Sequence, residues 1–258
     1  MRLEKMAHLL YEAYQTKEGI EPLSKLDVSL SPEEAYQVQL INVRQWQNQG
    51  DKITGKKIGL TSLPMQEMFN VNEPDYGIIF ASKEKKNHSI ILKNEYLLPR
   101  VEAEIAFVMK KDLITNHLIT YDQVKDAIDY AIACFEIVDS RIKNWDIKLV
   151  DTIADSASFA GYVIGDIKIP LDKIDLINEE MHLFQNDQLV GHGQGKAVLD
   201  DPINCVTWLA NKLNKFNVYL NKGDIVLSGA LSKAIDVNAG DTFKAVYSNL
   251  GSIEVSFK

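Results

Sequence analysis

Cysteine is scarce in this chain of 258 residues, which has only Cys134 and Cys205. Both lie inside apolar runs and form no C-x-x-C pair, so we expect buried free thiols rather than a disulfide framework. No run of about eighteen apolar residues occurs, and the first residues lack a long apolar stretch, so neither secretion nor membrane spanning is predicted. These absences favour a cytoplasmic protein.

An excess of positive charge is also lacking, because 28 basic residues stand against 36 acidic ones and the net charge is −8. This balance argues against nucleic acid or an anionic membrane surface as the main partner. A phosphate-binding loop of the form G-x-x-x-x-G-K-[ST] is missing as well, so nucleotide binding is not predicted. The 46% of hydrophobic residues suffices for a real core in one large domain, with or without a smaller appendage.

Two carboxylates stand out in the apolar, β-prone run of residues 99–108. Successive side chains of an extended strand alternate between its faces, so Glu102 and Glu104 share a face at a spacing of about 7 Å. Such a pair repels and loses hydration when half-buried, and a hard metal ion would compensate it. An edge strand with both glutamates in water gives the same pattern, but Ala106 and Val108 continue that face with apolar side chains.

A third carboxylate, Glu136, lies in the middle of the apolar run of residues 131–139. A carboxylate in such a run is rarely buried unless it is paired or bound to a metal. Two interpretations therefore remain open for Glu136: ligation of a metal, or a salt bridge to Arg141 or Arg100.

Adjacent lysines, Lys56 and Lys57, lie between Gly55 and Gly59. The glycines permit close approach of the backbone, and Ile58 gives at least one lysine an apolar neighbour. An apolar environment lowers the pKa of a lysine, so such a lysine can have a lowered pKa. Two solvated lysines in a turn would give the same sequence.

Two helices are predicted near the N-terminus. Residues 2–16 show apolar side chains at helical spacing. A second helix starts at Ser31, where Pro32 occupies the first turn and Glu34 completes a capping box, and it ends near Gly50.

Many short strands punctuated by glycine follow, including a hairpin that turns at Asn186 and Asp187. Few helices separate these strands, which favours an antiparallel or mixed β core, such as a roll or barrel-like sandwich. We therefore expect an α+β fold in which residues 1–75 form a helical N-terminal cap and residues 76–258 a β-rich catalytic core.

Several blocks together resemble the hydratase/decarboxylase branch of the fumarylacetoacetate hydrolase superfamily. The blocks occur in family order, and their joint occurrence is highly specific although no single block is decisive. They are K-I-G-L-T-S (57–62), P-D-Y-G (74–77), V-E-A-E-I-A-F (101–107), E-I-V-D-S-R-I (136–142), D-T-I-A-D-S-A-S (151–158), W-L-A-N-K-L (208–213), S-G-A-L (228–231) and G-D (240–241).

The resemblance implies a roll-like core of the family's C-terminal type and a bound Mg²⁺ or Mn²⁺ ion. The residues that match the family's metal ligands are Glu102, Glu104 and Glu136, the same three that stand out by their positions. All-oxygen ligands select a hard cation. By the same resemblance Lys57 is the acid/base group, and Asp75 tunes or assists it.

Substrate-binding roles implied by the resemblance fall on Leu60, Ser158 and Arg141. The small-molecule partner would be a 2-oxo or 2-hydroxydienoic acid. The implied activity is that of a metal-dependent hydro-lyase, which adds water to 2-hydroxypenta-2,4-dienoate and gives 4-hydroxy-2-oxopentanoate in the catabolism of aromatic meta-cleavage products. The family also favours a homo-oligomer, with a hydratase/decarboxylase complex as a further option.

Three alternatives remain. A decarboxylase of 2-oxohex-3-enedioate would use the same metal-stabilised dienolate, and a non-catalytic metal-binding partner subunit would need the ligands alone. An acylpyruvate hydrolase would need a His/Glu pair, and none of the five histidines stands in such a block.

Some positions depart from the family pattern. Ser156 replaces an expected asparagine, Lys196 replaces an expected small residue, and Lys233 lies in a block that is less typical than its neighbours. The roles of these three residues stay open at the level of the sequence.

Overall fold

The computed structural model describes every residue from Met1 to Lys258. The helices are α1 (Arg2–Thr16), α2 (Leu23–Leu26), α3 (Pro32–Asn48), α4 (Leu63–Phe69), α5 (Tyr121–Ala127), α6 (Leu149–Ala154) and α7 (Pro202–Asn214). The strands are β1 (Ile53–Gly59), β2 (Asp75–Phe80), β3 (Glu84–Lys86), β4 (Ser89–Ile91), β5 (Arg100–Met109), β6 (Ile128–Val138), β7 (Phe159–Ile164), β8 (Glu180–Gln185), β9 (Gln188–Gln194), β10 (Ile225–Ala230), β11 (Ile235–Asp236), β12 (Thr242–Tyr247) and β13 (Ser252–Phe257). None of the helices has the length and apolar character needed to cross a bilayer.

The N-terminal helices form where the sequence predicts them. At the start of α3 the Glu34 N–H donates to Ser31 Oγ, and the Ser31 N–H donates back to the Glu34 carboxylate, both at 3.2 Å. This capping box satisfies N–H groups that have no partner inside the helix. Helices α1 and α3 pack on each other and bury Leu10 and Val38 in the main core.

A large mixed sheet of eight strands forms the centre of the molecule. Seven strands follow the order β2-β1-β10-β5-β6-β7-β3, and β11 pairs with β5. The sheet curls until its two sides approach: Thr54 Oγ1 of β1 lies 3.2 Å from Tyr162 Oη of β7. Its ends are not joined by a ladder, so the predicted α+β roll is confirmed and no barrel closes.

The inner face of this roll is apolar below the glutamates. Ala106, Cys134, Tyr162 and Leu227, from four different strands, pack there in one buried cluster. Ala106 continues the glutamate face of β5, so the apolar continuation seen in the sequence marks the inside of the roll.

A second sheet of five strands, in the order β4-β13-β12-β8-β9, completes the sandwich. Its buried Phe243 and Val255 join the same core as Ala103 and Phe107 on the outer face of β5. The predicted hairpin is present between β8 and β9, and Asn186 and Asp187 in its turn have φ values of 51° and 63°. Asparagine and aspartate tolerate that left-handed conformation better than most residues.

Strand β1 lies within the predicted cap of residues 1–75, yet it pairs with β2 and, in parallel, with β10 inside the large sheet. The chain therefore enters the central sheet before residue 76. The division into a cap and a core stays a prediction.

A buried ion pair braces the chain after β6. The Arg141 guanidinium pairs with the Asp155 carboxylate, and its Nη2 also donates to the Asp155 carbonyl oxygen at 2.7 Å. Another Nη group donates to the carbonyl oxygen of Phe159 at 3.1 Å. Both charged side chains are about 5% exposed, so each depends on the other for compensation.

Replacing Asp155 by Asn should therefore destabilise the protein by about 3–5 kcal/mol, because it leaves a buried guanidinium without its counter-charge. Urea unfolding of the variant and the parent measures the difference. The control is Asp236→Asn, which breaks the Arg100 pair at a side chain that is 80% exposed and should cost at most about 1 kcal/mol. Equal losses in the two variants would contradict this account.

Candidate active site and metal centre

Three glutamates converge on the inner face of the large sheet. Alternation along β5 puts Glu102 and Glu104 on one face, and the antiparallel register with β6 puts Glu136 directly opposite Glu102. One carboxylate oxygen from each residue lies within 4.8 Å of the others. The structure thus brings together the three carboxylates that the sequence singled out.

The convergence is electrostatically costly. Glu104 and Glu136 are fully buried, and burial raises the pKa of Glu104 well above its ordinary value, with the Glu136 and Glu102 charges raising it further. Burial likewise raises the pKa of Glu136 to about 7, although Lys57 opposes the shift. The pKa of Glu102 is raised by burial too, against the pull of Lys57 and Arg100. A bound cation would remove this penalty.

The oxygens left without partners fit a metal ion. Glu104 Oε1 and Glu136 Oε2 are buried and accept no hydrogen bond, which is rare for buried polar atoms. The other oxygen, Glu104 Oε2, accepts from the Gly229 N–H at 2.8 Å. Tyr247 Oη donates to the Glu104 carbonyl oxygen at 2.8 Å. A fixed, all-oxygen donor set of this kind suits Mg²⁺ or Mn²⁺.

The charge partner of Glu136 is Lys57. Its Nζ lies 3.1 Å from Glu136 Oε1 and donates to the Ala157 carbonyl oxygen at 2.9 Å. The alternative interpretation of Glu136 is therefore wrong in its choice of arginine, because Arg141 pairs with Asp155 and Arg100 with Asp236. Those two arginines are close to Glu136 in sequence or register, whereas Lys57 reaches it across the roll.

The lowered pKa considered for a lysine in this stretch is also wrong for Lys57 in the chain without a bound ion. Burial lowers the pKa of Lys57, but the surrounding carboxylates, Glu136 and Asp75 foremost, outweigh burial and hold it above its ordinary value. Its neighbour Lys56 points to the other face of β1, where Nζ pairs with Asp224 at 2.5 Å.

Asp75 lies opposite Gly59 in the ladder of β1 and β2. Neither of its carboxylate oxygens has a hydrogen-bond partner of suitable geometry, and burial raises its pKa while Lys57 opposes the shift. A Cβ built on Gly59 would lie 2.3 Å from Asp75 Oδ1 and 3.4 Å from Lys57 Nζ. Asp75 and Lys57 therefore border one small space that only glycine leaves open.

The acceptor for Lys57 comes from a strained loop. Ser156, Ala157 and Ser158 have consecutive φ values of 55°, 51° and 56°, which is unfavourable for residues other than glycine. Ser156 Oγ accepts from the Ile78 N–H at 3.1 Å, while Ala157 turns its carbonyl oxygen to Lys57. The role of Ser156, which the sequence left open, is thus structural: its hydroxyl holds this loop against β2.

A cavity of about 720 Å³ adjoins these groups. Lys57, Asp75 and Glu102 contribute to its lining, as do two of the predicted substrate-binding residues, Leu60 and Ser158.

The third predicted substrate-binding residue, Arg141, is not brought to this cavity; it lines a separate small cavity under α1 and α3. Among the open positions, Lys233 lines the large cavity and Lys196 does not. Sequence reasoning missed the apolar wall, formed by α4 residues such as Met65 and Met68 together with Trp145. No local pattern marks such a wall, because its parts are distant in sequence.

A model of the fumarylacetoacetate (FAA) hydrolase C-terminal family matches residues 71–258. The chain belongs to this family. It is 39% identical over 254 residues to 2-keto-4-pentenoate hydratase 1 of Dechloromonas aromatica strain RCB, a match that covers 98% of this chain and 96% of the relative. It is 38% identical over 257 residues to 2-hydroxyhexa-2,4-dienoate hydratase of Comamonas testosteroni, covering 99% and 97% of the two chains.

Among solved structures, the chain is similar to 4-oxalocrotonate decarboxylase from Pseudomonas putida G7, complexed with magnesium and adipate. The TM-score is 0.96, the sequence identity is 28%, and the match covers 99% of this chain and 97% of that one. The resemblance to the hydratase/decarboxylase branch is thereby confirmed, and with it the fold of this FAA hydrolase family member.

Replacing Glu104 by Gln should weaken Mn²⁺ binding by more than roughly 100-fold, beyond the usual cost of losing an outer-sphere partner. Electron paramagnetic resonance titration of free Mn²⁺ measures the affinity. Saturating Mn²⁺ should also raise the melting temperature of the parent, since a ligand at 100 times its Kd adds about 2.7 kcal/mol of stability, but not that of the variant.

Glu33→Gln is the matched control, because Glu33 is exposed on α3 and its loss removes the same charge. A Glu104→Gln variant that titrates Mn²⁺ like the parent would show that the three glutamates do not form the metal site.

Proposed function

We propose that this family member is a divalent-metal-dependent hydratase that converts 2-hydroxypenta-2,4-dienoate and water into 4-hydroxy-2-oxopentanoate. One observation carries the proposal: Lys57 and three convergent glutamates lie together beside one cavity. Relatives of nearly full length that are named as hydratases support an enzyme of this kind.

Glu102, Glu104 and Glu136 would hold the ion, and we favour Mg²⁺ or Mn²⁺. A divalent cation bound there supplies Lewis acidity towards the substrate carboxylate and its neighbouring 2-oxygen. The magnesium named for the solved decarboxylase agrees with this choice.

The remaining chemistry consists of proton transfers. The 2-hydroxyl loses its proton and C5 gains one, which gives a conjugated enone; water then adds at C4 and a proton at C3. Lys57 is the group we assign to these transfers, since Nζ is buried, held by Ala157 and next to Glu136. The carboxylate charges raise the pKa of Lys57. A divalent cation would offset those charges and so bring the pKa of Lys57 closer to the working pH, as acid/base catalysis requires.

Asp75 assists Lys57 in this scheme. The two groups border the space above Gly59, and Asp75 has carboxylate oxygens free to accept a proton or orient a water. Leu60 and Ser158 would contact the substrate from the cavity wall. Arg141 was also predicted to do so, but its engaged guanidinium gives that assignment no support.

Decarboxylation of 2-oxohex-3-enedioate is the second candidate. The similarity to a decarboxylase that binds adipate, a six-carbon dicarboxylate, favours it, and both reactions need the same electron sink. A non-catalytic partner subunit would need only the metal ligands. The presence of Lys57 and Asp75 beside them therefore argues against that alternative. The homo-oligomeric state, a complex with a decarboxylase and the cytoplasmic location remain part of the proposal.

A side-by-side assay decides between the two reactions. Purified protein with Mg²⁺ should consume enzymatically generated 2-hydroxypenta-2,4-dienoate, followed by loss of its ultraviolet absorbance, and should release little carbon dioxide from 2-oxohex-3-enedioate. An unchanged absorbance trace together with rapid carbon dioxide release would replace the hydratase by the decarboxylase.

Replacing Lys57 by Met keeps the length of the side chain but removes its proton, so kcat should fall by roughly 10²- to 10⁴-fold. Mn²⁺ affinity should be retained, because the variant keeps all three glutamates. It also lacks the lysine ammonium that competes with the metal ion for Glu136. Lys52→Met, at an exposed lysine before β1, is the control. Full activity in Lys57→Met would remove this lysine from the mechanism.

A further inference from the structure

Three cationic side chains line the cavity that adjoins the glutamates: Lys57, Arg100 and Lys233. Lys57 is already engaged by Glu136 and by the Ala157 carbonyl oxygen. Lys233 is exposed and makes no ion pair. Arg100 differs from both, because it is half-buried and held in place. Only the Nε of its guanidinium donates a hydrogen bond within the protein.

Strand β5 places Arg100 on the same side of the sheet as Glu102 and Glu104. This arginine is the first residue of β5, two positions before Glu102, so its side chain leaves the same face of the strand as the glutamates. Arg100 and Glu102 also line the same cavity, and the positive charge of Arg100 lowers the pKa of Glu102 against the larger effect of burial.

Two contacts fix the guanidinium. Its Nε donates to Asp236 Oδ1 at 2.7 Å, and its Cζ lies 4.4 Å from the centroid of a Trp145 ring. Trp145 is anchored in turn, since its indole N–H donates to the Leu98 carbonyl oxygen at 2.9 Å. Arginine stacks in this way on aromatic faces and keeps its planar fork oriented.

We propose that Arg100 is a substrate-binding residue that receives a carboxylate on its two Nη groups, neither of which has a hydrogen-bond partner in the protein. A guanidinium fork matches the two oxygens of a carboxylate. The inference rests on the proposed function, because it names the group that a 2-oxo or 2-hydroxydienoic acid presents to this part of the cavity.

The charge balance of the site gives the proposal a reason. The substrate is an anion, the chain has a net charge of −8, and Asp75 and three glutamates surround the reaction space. The positive charges of Lys57 and one divalent cation do not fully balance these four carboxylates. The charge of Arg100 offsets the remainder. Without Arg100, an anionic substrate would approach a site of its own sign.

Two carboxylates are candidates for this contact. One is the C1 carboxylate, which every 2-oxo acid carries; the other is the distal carboxylate of a dicarboxylic substrate such as 2-oxohex-3-enedioate. The chemistry of recognition is the same, and the choice of probe separates them.

Isothermal titration of Mn²⁺-loaded parent and Arg100→Gln protein with pyruvate and with adipate tests the proposal. We expect Arg100→Gln to weaken carboxylate binding by roughly 10- to 100-fold and to leave Mn²⁺ affinity within about threefold, because Arg100 is not a ligand. Arg100→Lys should recover only part of the loss, since an ammonium lacks the fork. With the dienoate, KM should rise more than kcat falls.

A loss for both probes assigns Arg100 to the C1 carboxylate, and a loss for adipate alone assigns it to the distal carboxylate. Unchanged binding of both, or no binding of either to the parent, overturns the proposal. Asp236→Asn, which keeps the guanidinium but removes one of its two contacts, should lose less carboxylate binding than Arg100→Gln.

Arg44→Gln is the control for removing one exposed arginine. Since the titration needs no turnover, a parent that binds carboxylates through Arg100 but hydrates no dienoate would refute the proposed hydratase and leave this inference standing.

Discussion

Mutual repulsion of three converging carboxylates, two of them fully buried and the third half-buried, is the constraint on which the rest of this structure depends. Glu104 and Glu136 have no exposed surface, and only Lys57 offers a protein charge at contact distance. Burying carboxylates in this way costs several kcal/mol for each ion unless cations compensate. The arrangement is therefore unfavourable in the chain alone, and a divalent cation bound between the three glutamates would relieve it.

The surrounding sheet supplies the rigidity that holds the carboxylates together. The pairing of β5 with β6 sets Glu102 against Glu136, and the opposite face of the same strand buries Ala103 and Phe107 in the main core. A slip of one residue would move every one of these side chains to the wrong face. Tyr247 of the second sheet also donates a hydrogen bond to the backbone carbonyl oxygen of Glu104 in β5. The packing of the two sheets therefore helps to fix the geometry of the site.

Local patterns predicted the parts of this protein that depend on neighbours in sequence. The capping box at Ser31, the turn at Asn186 and the shared face of Glu102 and Glu104 each follow from a few adjacent residues, and the structure has all three. The identity of the family followed from blocks spread along the chain, which the family match confirms.

What the sequence could not provide was the pairing of distant strands. Nearby arginines were the natural partners to consider for Glu136, yet its partner is Lys57, which the curl of the sheet brings across the roll. The same carboxylates raise the pKa of Lys57, against an expectation based on its apolar neighbours alone. Arg141 has a strong partner in Asp155, which no spacing rule would single out.

The central claim is that one divalent cation binds between the three glutamates, and anomalous diffraction from crystals soaked in Mn²⁺ tests it most directly. The account predicts a single strong peak within bonding distance of one carboxylate oxygen each from Glu102, Glu104 and Glu136. A peak elsewhere, or none while Lys57 keeps its contact with Glu136, would contradict it.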